Sequence, residues 1–259
     1  MAGTANIMWL STVPNTVVIS GLVLYLDPHN PSSYSGSGTV MNDLSGNSNT
    51  ATLSTTGTLL PIYNASSYFN YAGTTSNDPY LNIPASTSIN NLGAMTVSMW
   101  LRFSTTTTYN HTLFYKSDNN GTAGWFLEYA GNIGGSGLYG YSMCVVGSTD
   151  ARYAIGQSQI TLGVWLNIVT TWNGVFPSPT INHYINGVLN VSTPIVNTTG
   201  SGTHNTDAAV NLQFAKFQTT GSSAADFEGD AGVLQIYNRV LSSSEILQNF
   251  NAIRGIYGI

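Results

Sequence analysis

Hydrophobic and polar residues alternate along much of the chain in short runs, and this period of two is typical of β-strands that bury one face. The clearest run is Met95–Phe103, in which every second residue from Met95 onward is apolar. We predict that this apolar face lies in the core. Similar runs predict further strands over residues 125–129, 139–145, 164–172, 181–185, 188–191, 210–217 and 232–237.

Two local motifs predict how some of these runs are connected. Asn186-Gly187 separates two strand runs, and this residue pair is typical of the type I′ turn of a β-hairpin, which needs two positive φ angles. Ser242 and Glu245 have the spacing of a capping box and precede apolar residues at helical spacing, which predicts one short C-terminal helix.

Many short strands separated by Gly, Ser, Thr, Asn and Pro predict one all-β domain, a sandwich or a barrel, over residues 21–259. Residues 1–20 differ from this body because they are apolar and uncharged, yet Pro14 interrupts them and no helical period emerges. We interpret them as an N-terminal arm that docks on a partner. The residues expected to make that contact are Ile7, Trp9, Leu10, Val17 and Val18.

Charged residues are scarce, and their scarcity excludes several classes of function. Only 7% of the 259 residues are charged, against about 25% in an ordinary soluble domain. The net charge of -5 and the absence of Lys/Arg clusters disfavour nucleic-acid binding. No apolar run reaches the roughly 20 residues that a membrane span needs. The single cysteine, Cys144, excludes an intrachain disulfide framework.

The neutral residues that replace the charges suggest where the protein is used. A surface rich in Ser, Thr and Asn is typical of proteins exposed outside cells, while the first basic residue, Arg102, lies too far along the chain for a secretory signal. A protein made in a host cytoplasm without a signal peptide, and used outside it, is expected to be a component of a virion exterior.

Several segments, taken in order, resemble the laminin-G-like members of the concanavalin A-like lectin/glucanase superfamily. The matching segments are residues 22–27 (LVLYLD), 30–38 (NPSSYSGSG), 43–49 (DLSGNSN), 95–101 (MTVSMWL), 164–172 (VWLNIVTTW), 184–188 (YINGV), 227–241 (FEGDAGVLQIYNRVL) and 244–247 (SEIL). The resemblance implies a jelly-roll sandwich of two antiparallel sheets. The family includes lectins, glycoside hydrolases and structural modules, and residues 248–258 resemble the ends of bacteriophage structural proteins that carry this domain.

A hydrolase is disfavoured because an acid is missing. Retaining glucanases of the superfamily carry Glu-x-Asp-x-(x)-Glu on one strand, so that two acids lie about 5 Å apart on one face. Glu228 and Asp230 supply the first half of this pattern, but the following positions that period two places on the same face are Gly232 and Leu234. We therefore predict no catalytic residues.

Carbohydrate binding would need aromatic side chains beside polar ones. The strands and loops around the glycine-rich link at residues 131–137 offer such a set. The candidate residues are Trp125, Tyr139, Tyr141, Arg152 and Tyr153.

For metals, two interpretations of the loop acids stay open. Asp118 and Asn120 supply oxygen ligands of the kind that calcium prefers, but both residue types also form turns. The histidines are scattered, which disfavours zinc, and His183 lies in a strand alternation that predicts packing.

The expected protein is thus a non-enzymatic structural or adhesive component of a bacteriophage exterior: a capsid decoration, a collar or a fibre. Its arm would attach it to other virion proteins in an oligomeric assembly. The alternative is a lectin module that recognises carbohydrates on the host surface. No membrane or nucleic-acid partner is expected.

Overall fold

A computed structural model describes residues 16–55, 59–65, 67–72, 79–105, 111–118, 123–130, 140–145, 151–156, 160–175, 180–190, 194–198, 203–216 and 227–259. Side chains are described for all of these except residues 130, 140–145, 151–156 and 194–198. Strands dominate the described residues, which confirms the all-β prediction. Among these residues, no helix is long and apolar enough to cross a membrane.

The strands are numbered in chain order: β1 (Leu22–Leu26), β2 (Val40–Met41), β3 (Ala51–Thr55), β4 (Ile62–Asn64), β5 (Tyr68–Tyr71), β6 (Pro79–Ile83), β7 (Met95–Phe103), β8 (His111–Ser117), β9 (Gly124–Ala130), β10 (Gly140–Val145), β11 (Ala151–Gly156), β12 (Trp165–Trp172), β13 (Ile181–Ile185), β14 (Val188–Leu189), β15 (Pro194–Thr198), β16 (Leu212–Phe214) and β17 (Gly229–Tyr237). The helix α1 spans Ser243–Ile253, and a 3₁₀ turn, Arg254–Tyr257, follows it.

Two antiparallel sheets form a sandwich, as the resemblance implies for a concanavalin A-like jelly roll. Sheet A has the order β14-β13-β12-β7-β17-β5-β4, and β1 pairs with the C-terminal half of β17. Sheet B has the order β15-β11-β10-β9-β8-β16-β6-β3-β2. The hairpin β13–β14, predicted from the Asn186-Gly187 pair, is confirmed. The predicted strand runs at residues 125–129 and 139–145 pair with each other as β9 and β10.

The core lies between the sheets, and the central strand β7 supplies much of it. Met95, Val97, Met99, Leu101 and Phe103 are all fully buried and belong to one cluster with aromatic side chains of sheet B. This confirms the apolar face predicted from the alternation. Burying such side chains contributes roughly 1.5 to 3 kcal/mol each.

The outer face of β7, which points away from sheet B, is also covered over most of its length. Trp100 is fully buried there, stacked on Phe250 of α1 (ring centroids 5.7 Å apart) and on Tyr257 of the 3₁₀ turn (4.7 Å). Helix α1 therefore lies across the outer face of sheet A. Arg102, at the end of the strand, stays partly exposed.

The predicted capping box fixes the start of α1. The Glu245 amide donates to Ser242 Oγ (3.3 Å), and the Ser242 amide donates to Glu245 Oε2 (2.8 Å). Arg239 pairs with the same carboxylate at 2.6 Å, and its hydrogen bonds lower the pKa of Glu245 to about 2. The predicted hairpin turn is also confirmed, because Asn186 and Gly187 both have positive φ angles, 51° and 79°.

Residues 16–20 lie against α1 and sheet A. The amide of Val18 donates to Asn249 Oδ1 (2.8 Å), and its carbonyl accepts from the Tyr237 hydroxyl (3.0 Å). Val17 and Val18, expected above to dock on a partner, are half-buried against the chain's own domain. Residues 16–20 are therefore part of the folded domain. Ile7, Trp9 and Leu10 lie outside the described residues.

Candidate functional site

Four side chains form a row across the outer face of sheet A, beyond the end of α1. Strand pairing places Trp165 of β12 opposite Arg102 of β7, Arg102 opposite Asp230 of β17, and Asp230 opposite Asn70 of β5. We call these four residues the Arg102 row. Paired residues on one face of a sheet are direct neighbours, so the row is a continuous strip of surface.

An ion pair forms the centre of the row. Arg102 donates to Asp230 Oδ2 through Nε and through a terminal nitrogen, both at 2.7 Å, while Asn70 Nδ2 donates to Asp230 Oδ1 at 2.8 Å. Burial lowers the pKa of the Arg102 guanidinium, but the hydrogen bond and charge of Asp230 outweigh it, and the net pKa is raised. The guanidinium and the carboxylate thus form a close ion pair in which the opposite charges offset each other.

Aromatic rings surround the guanidinium. Its central carbon lies 5.0 Å from the ring centroid of Tyr68 and 5.2 Å from that of Trp165, within the range of cation–π attraction. Trp165 also packs on Tyr257 (4.4 Å) and edge-to-face on Tyr68 (5.5 Å). The Arg102 side chain is 30% exposed, and Trp165, Tyr68 and Asn70 are half-buried. Solvent therefore reaches a site whose side chains are held in place.

The glucanase acid pattern is interrupted here for a steric reason. The pairing of β17 with β7 shifts between Ala231 and Leu234, so that Gly232 and Val233 both lie towards the outer face and Leu234 turns into the core. This corrects the expectation that Leu234 shares a face with Asp230. A Cβ atom at Gly232 would overlap with the Tyr257 hydroxyl, which accepts a hydrogen bond from the Val233 amide (2.9 Å). An acid at position 232 would therefore displace Tyr257.

The aromatic candidates predicted for carbohydrate binding are not all at the surface. Trp125 is fully buried in the core between the sheets, so its prediction as a sugar platform is wrong. Tyr139 lies outside the described residues. Tyr141, Arg152 and Tyr153 lie on the paired strands β10 and β11, where the structure describes the backbone but not the side chains.

The calcium candidates are only partly described. Asp118 Oδ1 accepts from the Ala123 amide at 3.1 Å, which closes the loop between β8 and β9, and Asn120 lies outside the described residues. The described part of the chain contains no group of three or more His, Cys, Asp or Glu side chains arranged to hold a metal ion.

The ammonium group of Lys116, on β8, is enclosed by oxygen atoms. It donates to the Val210 carbonyl (2.7 Å), Asn90 Oδ1 (2.9 Å) and the Asp207 carbonyl (3.0 Å), and lies 3.5 Å from Asp207 Oδ1. Both side chains of the Lys116–Asp207 pair are completely buried. Burial lowers the pKa of Lys116, and the charge of Asp207 opposes that shift.

The prediction that His183 is packed is confirmed. It is fully buried in β13, and its Nδ1 atom lies 2.7 Å from the Thr170 hydroxyl. Burial lowers its pKa to about 3, so the ring is neutral at physiological pH.

Comparison with known proteins identifies the fold. No curated protein sequence matches the chain. The binding domain of Paraclostridial Mosquitocidal Protein 1 superposes with a TM-score of 0.59 at 18% identity, over 90% of this chain and 52% of that one. The binding domain of botulinum neurotoxin DC, solved in complex with rat synaptotagmin II, gives a TM-score of 0.61 at 14% identity, over 91% and 52%.

A third structure is that of botulinum neurotoxin type C, whose cell entry is described as dependent on interaction with two ganglioside molecules. It gives a TM-score of 0.60 at 14% identity, over 90% of this chain and 51% of that one. The chain thus spans about half the length of the solved chains that it matches, and the likeness is one of fold. A family model described as the concanavalin A-like lectin/glucanases superfamily matches residues 75–247, which is more than half of the sequence. The chain belongs to the concanavalin A-like lectin/glucanases superfamily.

Proposed function

We propose that the protein is a non-enzymatic adhesive module that binds carbohydrate and is carried on the exterior of a bacteriophage particle. The Arg102 row is the observation that carries this proposal. It presents two half-buried aromatic rings, a guanidinium, a carboxylate and an amide on a sheet face outside the core. Aromatic rings beside a few fixed polar groups are the usual composition of a binding site.

The state of Asp230 supports binding without catalysis. One of its carboxylate oxygens accepts from Arg102 and the other from Asn70, and the neighbouring position is closed to a further acid by Tyr257. A general acid must carry a proton, and a nucleophile must have a free oxygen directed at the sugar. A carboxylate that is paired with Arg102 and accepts hydrogen bonds at both oxygens suits neither role.

Three features support the place on a particle. Only 7% of the residues are charged, residues 1–26 contain no charged side chain, and residues 248–258 resemble the ends of bacteriophage structural proteins. Two botulinum neurotoxin structures of similar fold, one linked to interaction with two ganglioside molecules and one solved in complex with rat synaptotagmin II, support a binding role for this architecture.

The proposal is tested by measuring binding and hydrolysis on the same preparation. Full-length protein should bind ligands on a glycan array and release no reducing sugar from β-glucans, and Glu228→Gln should leave both results unchanged. Turnover of a β-glucan that is abolished by Glu228→Gln would show that the protein is an enzyme. Mass spectrometry of purified phage particles tests the location, and it should find the protein in them.

A purely structural role in the particle is the second candidate. It is favoured by the sequence of residues 1–15, which is largely apolar or neutral and contains no charged side chain. Presence in the particle together with no binding to any glycan would favour this role over the adhesive one.

A further inference from the structure

We propose that the Arg102 row binds neutral oligosaccharides, laid across the strands of sheet A, and discriminates against sialylated and other anionic glycans. This inference rests on the proposed carbohydrate-binding function and adds the site and the ligand class.

The charge of the row is already balanced. The only basic group in it, Arg102, is paired with Asp230 at 2.7 Å, so an anionic sugar arriving there would meet a carboxylate as well as a guanidinium. Like charges brought together at a partly desolvated site disfavour binding. The net charge of -5 over the chain acts in the same direction.

Other basic groups are engaged elsewhere. Lys116 is buried, Arg239 pairs with Glu245, and Lys216 lies 4.4 Å from the Tyr80 ring on sheet B. Arg254 lies over Phe250 of α1. Among the side chains that the structure describes, Arg102 is therefore the cation available to a ligand in the row, and it is neutralised.

The hydrogen-bonding groups of the row suit hydroxyls. A guanidinium and an amide nitrogen donate, while a carboxylate and an amide oxygen accept. A sugar hydroxyl can donate and accept at the same time, so it can bond to Asp230 and Asn70 without breaking the ion pair. The apolar C–H face of a sugar ring can pack against Trp165 and Tyr68, which flank the guanidinium.

The dimensions of the row indicate a short oligosaccharide. Trp165 to Asn70 covers three strand intervals, about 14 Å at the usual spacing of sheet strands, which is the length of a trisaccharide. Ile62 of β4 extends the strip by one more strand and is 62% exposed. Because the ion pair and the ring contacts already fix the side chains, binding needs little further ordering of the protein.

The experiment compares neutral and sialylated trisaccharides by calorimetry on full-length protein. The neutral probes are a panel of β-linked glucose, galactose and N-acetylglucosamine trimers, and the anionic probe is sialyllactose. We expect a neutral trimer to bind more tightly than sialyllactose. Asn70→Ala and Trp165→Ala should each weaken that binding by about tenfold, equivalent to about 1.4 kcal/mol. Tyr80→Ala, which removes the ring under Lys216 on the opposite sheet, should leave it unchanged.

A charge-changing variant gives the sharpest test. Asp230→Asn keeps the shape of the row but leaves the Arg102 charge unneutralised, so sialyllactose should bind more tightly to it than to the wild type. Thermal unfolding checks that every variant is folded, and Asn70→Ala, a half-exposed position, serves if Trp165→Ala is unstable.

The outcomes separate the two proposals. The assignment of the row would be overturned if substitutions of Asn70, Trp165 and Asp230 left glycan binding unchanged, or if the wild type preferred sialyllactose. The proposed carbohydrate-binding function would then still stand. Absence of binding to every glycan on an array would overturn both.

Discussion

Lys116 and Asp207 form an ion pair in the protein interior, and neither side chain is exposed to solvent. Such a pair gives little net stability compared with apolar residues, but removing one partner leaves the other charge buried without compensation. The ammonium also links strand β8, which carries it, to the loop that contains Asn90 and to the segment from Asp207 to Val210.

We expect Lys116→Met to lower the free energy of unfolding by about 3 to 5 kcal/mol, since it leaves the Asp207 carboxylate unpaired in the core. Urea unfolding at pH 7 measures this loss. Adding Asp207→Asn should restore part of the stability, because the second change removes the uncompensated charge. Lys216→Met, at a cation that lies over Tyr80, is the matched control and should have a small effect. A Lys116→Met protein as stable as the wild type would show that the pair contributes nothing.

The packing of the 3₁₀ turn after α1 against sheet A depends on the absence of a side chain at Gly232. The Tyr257 side chain covers Gly232 on the outer face of sheet A, outside the core between the sheets. It stacks on Trp100 and packs against Trp165. The shifted register of β17 creates the space that this tyrosine fills.

Gly232→Ala should therefore displace Tyr257 and loosen the stack on Trp100 and Trp165. We expect a lower Tm and a red shift of tryptophan fluorescence, because overpacking of a closed site costs about 1 to 3 kcal/mol. Gly255→Ala makes the same chemical change in the 3₁₀ turn at a position with open space around it, and it should alter neither quantity. Equal behaviour of the two variants would contradict the fit described for Gly232.

The elements that alternation predicted from the sequence are those with one apolar and one polar face, such as β7 and the β13–β14 hairpin. Strand β8 was not predicted because its sequence does not alternate: Leu113, Phe114 and Tyr115 are apolar in succession, and all three are buried. Trp125 shows a second limit of prediction from the sequence. Alternation shows which residues share a face of a strand, but it does not show which face is exposed to solvent. Trp125 lies in the core, although it was predicted at a binding surface.

The Arg102 row was not predicted from the sequence because its members are distant in the chain. Arg102 and Asp230 are 128 positions apart, and only the pairing of β7 with β17 makes them neighbours. One signal was present: Arg102 is the only charged residue in β7, and a charge at the end of a buried strand needs a partner.

Residues 16–20 and the C-terminal helix α1 lie together on the outer face of sheet A. Residues 16–20 are tied to this face by hydrogen bonds to Asn249, Tyr237 and Arg239. Residues 16–20 therefore belong to the folded domain, and the arm predicted over residues 1–20 does not include them.

Two deletions distinguish attachment from folding. Removing residues 1–15 should leave the Tm unchanged and abolish incorporation into particles, because the bonds of residues 16–20 remain. Removing residues 1–20 should also lower the stability by about 2 to 5 kcal/mol, since several hydrogen bonds and the packing of Val17 and Val18 are lost. Thermal unfolding and co-sedimentation with particles that lack the protein measure the two effects. If the shorter deletion still co-sediments as well as the full-length protein, the arm is not the attachment device.

The enclosed ammonium of Lys116 has a consequence for the conditions that the protein tolerates. A cation attached through a covalent bond is present at one per chain, whatever the ionic composition of the medium, and neither dilution nor a chelator removes it. The group that holds these loops together is a side chain of the protein itself. The contact between these loops is therefore independent of the mineral content of the medium.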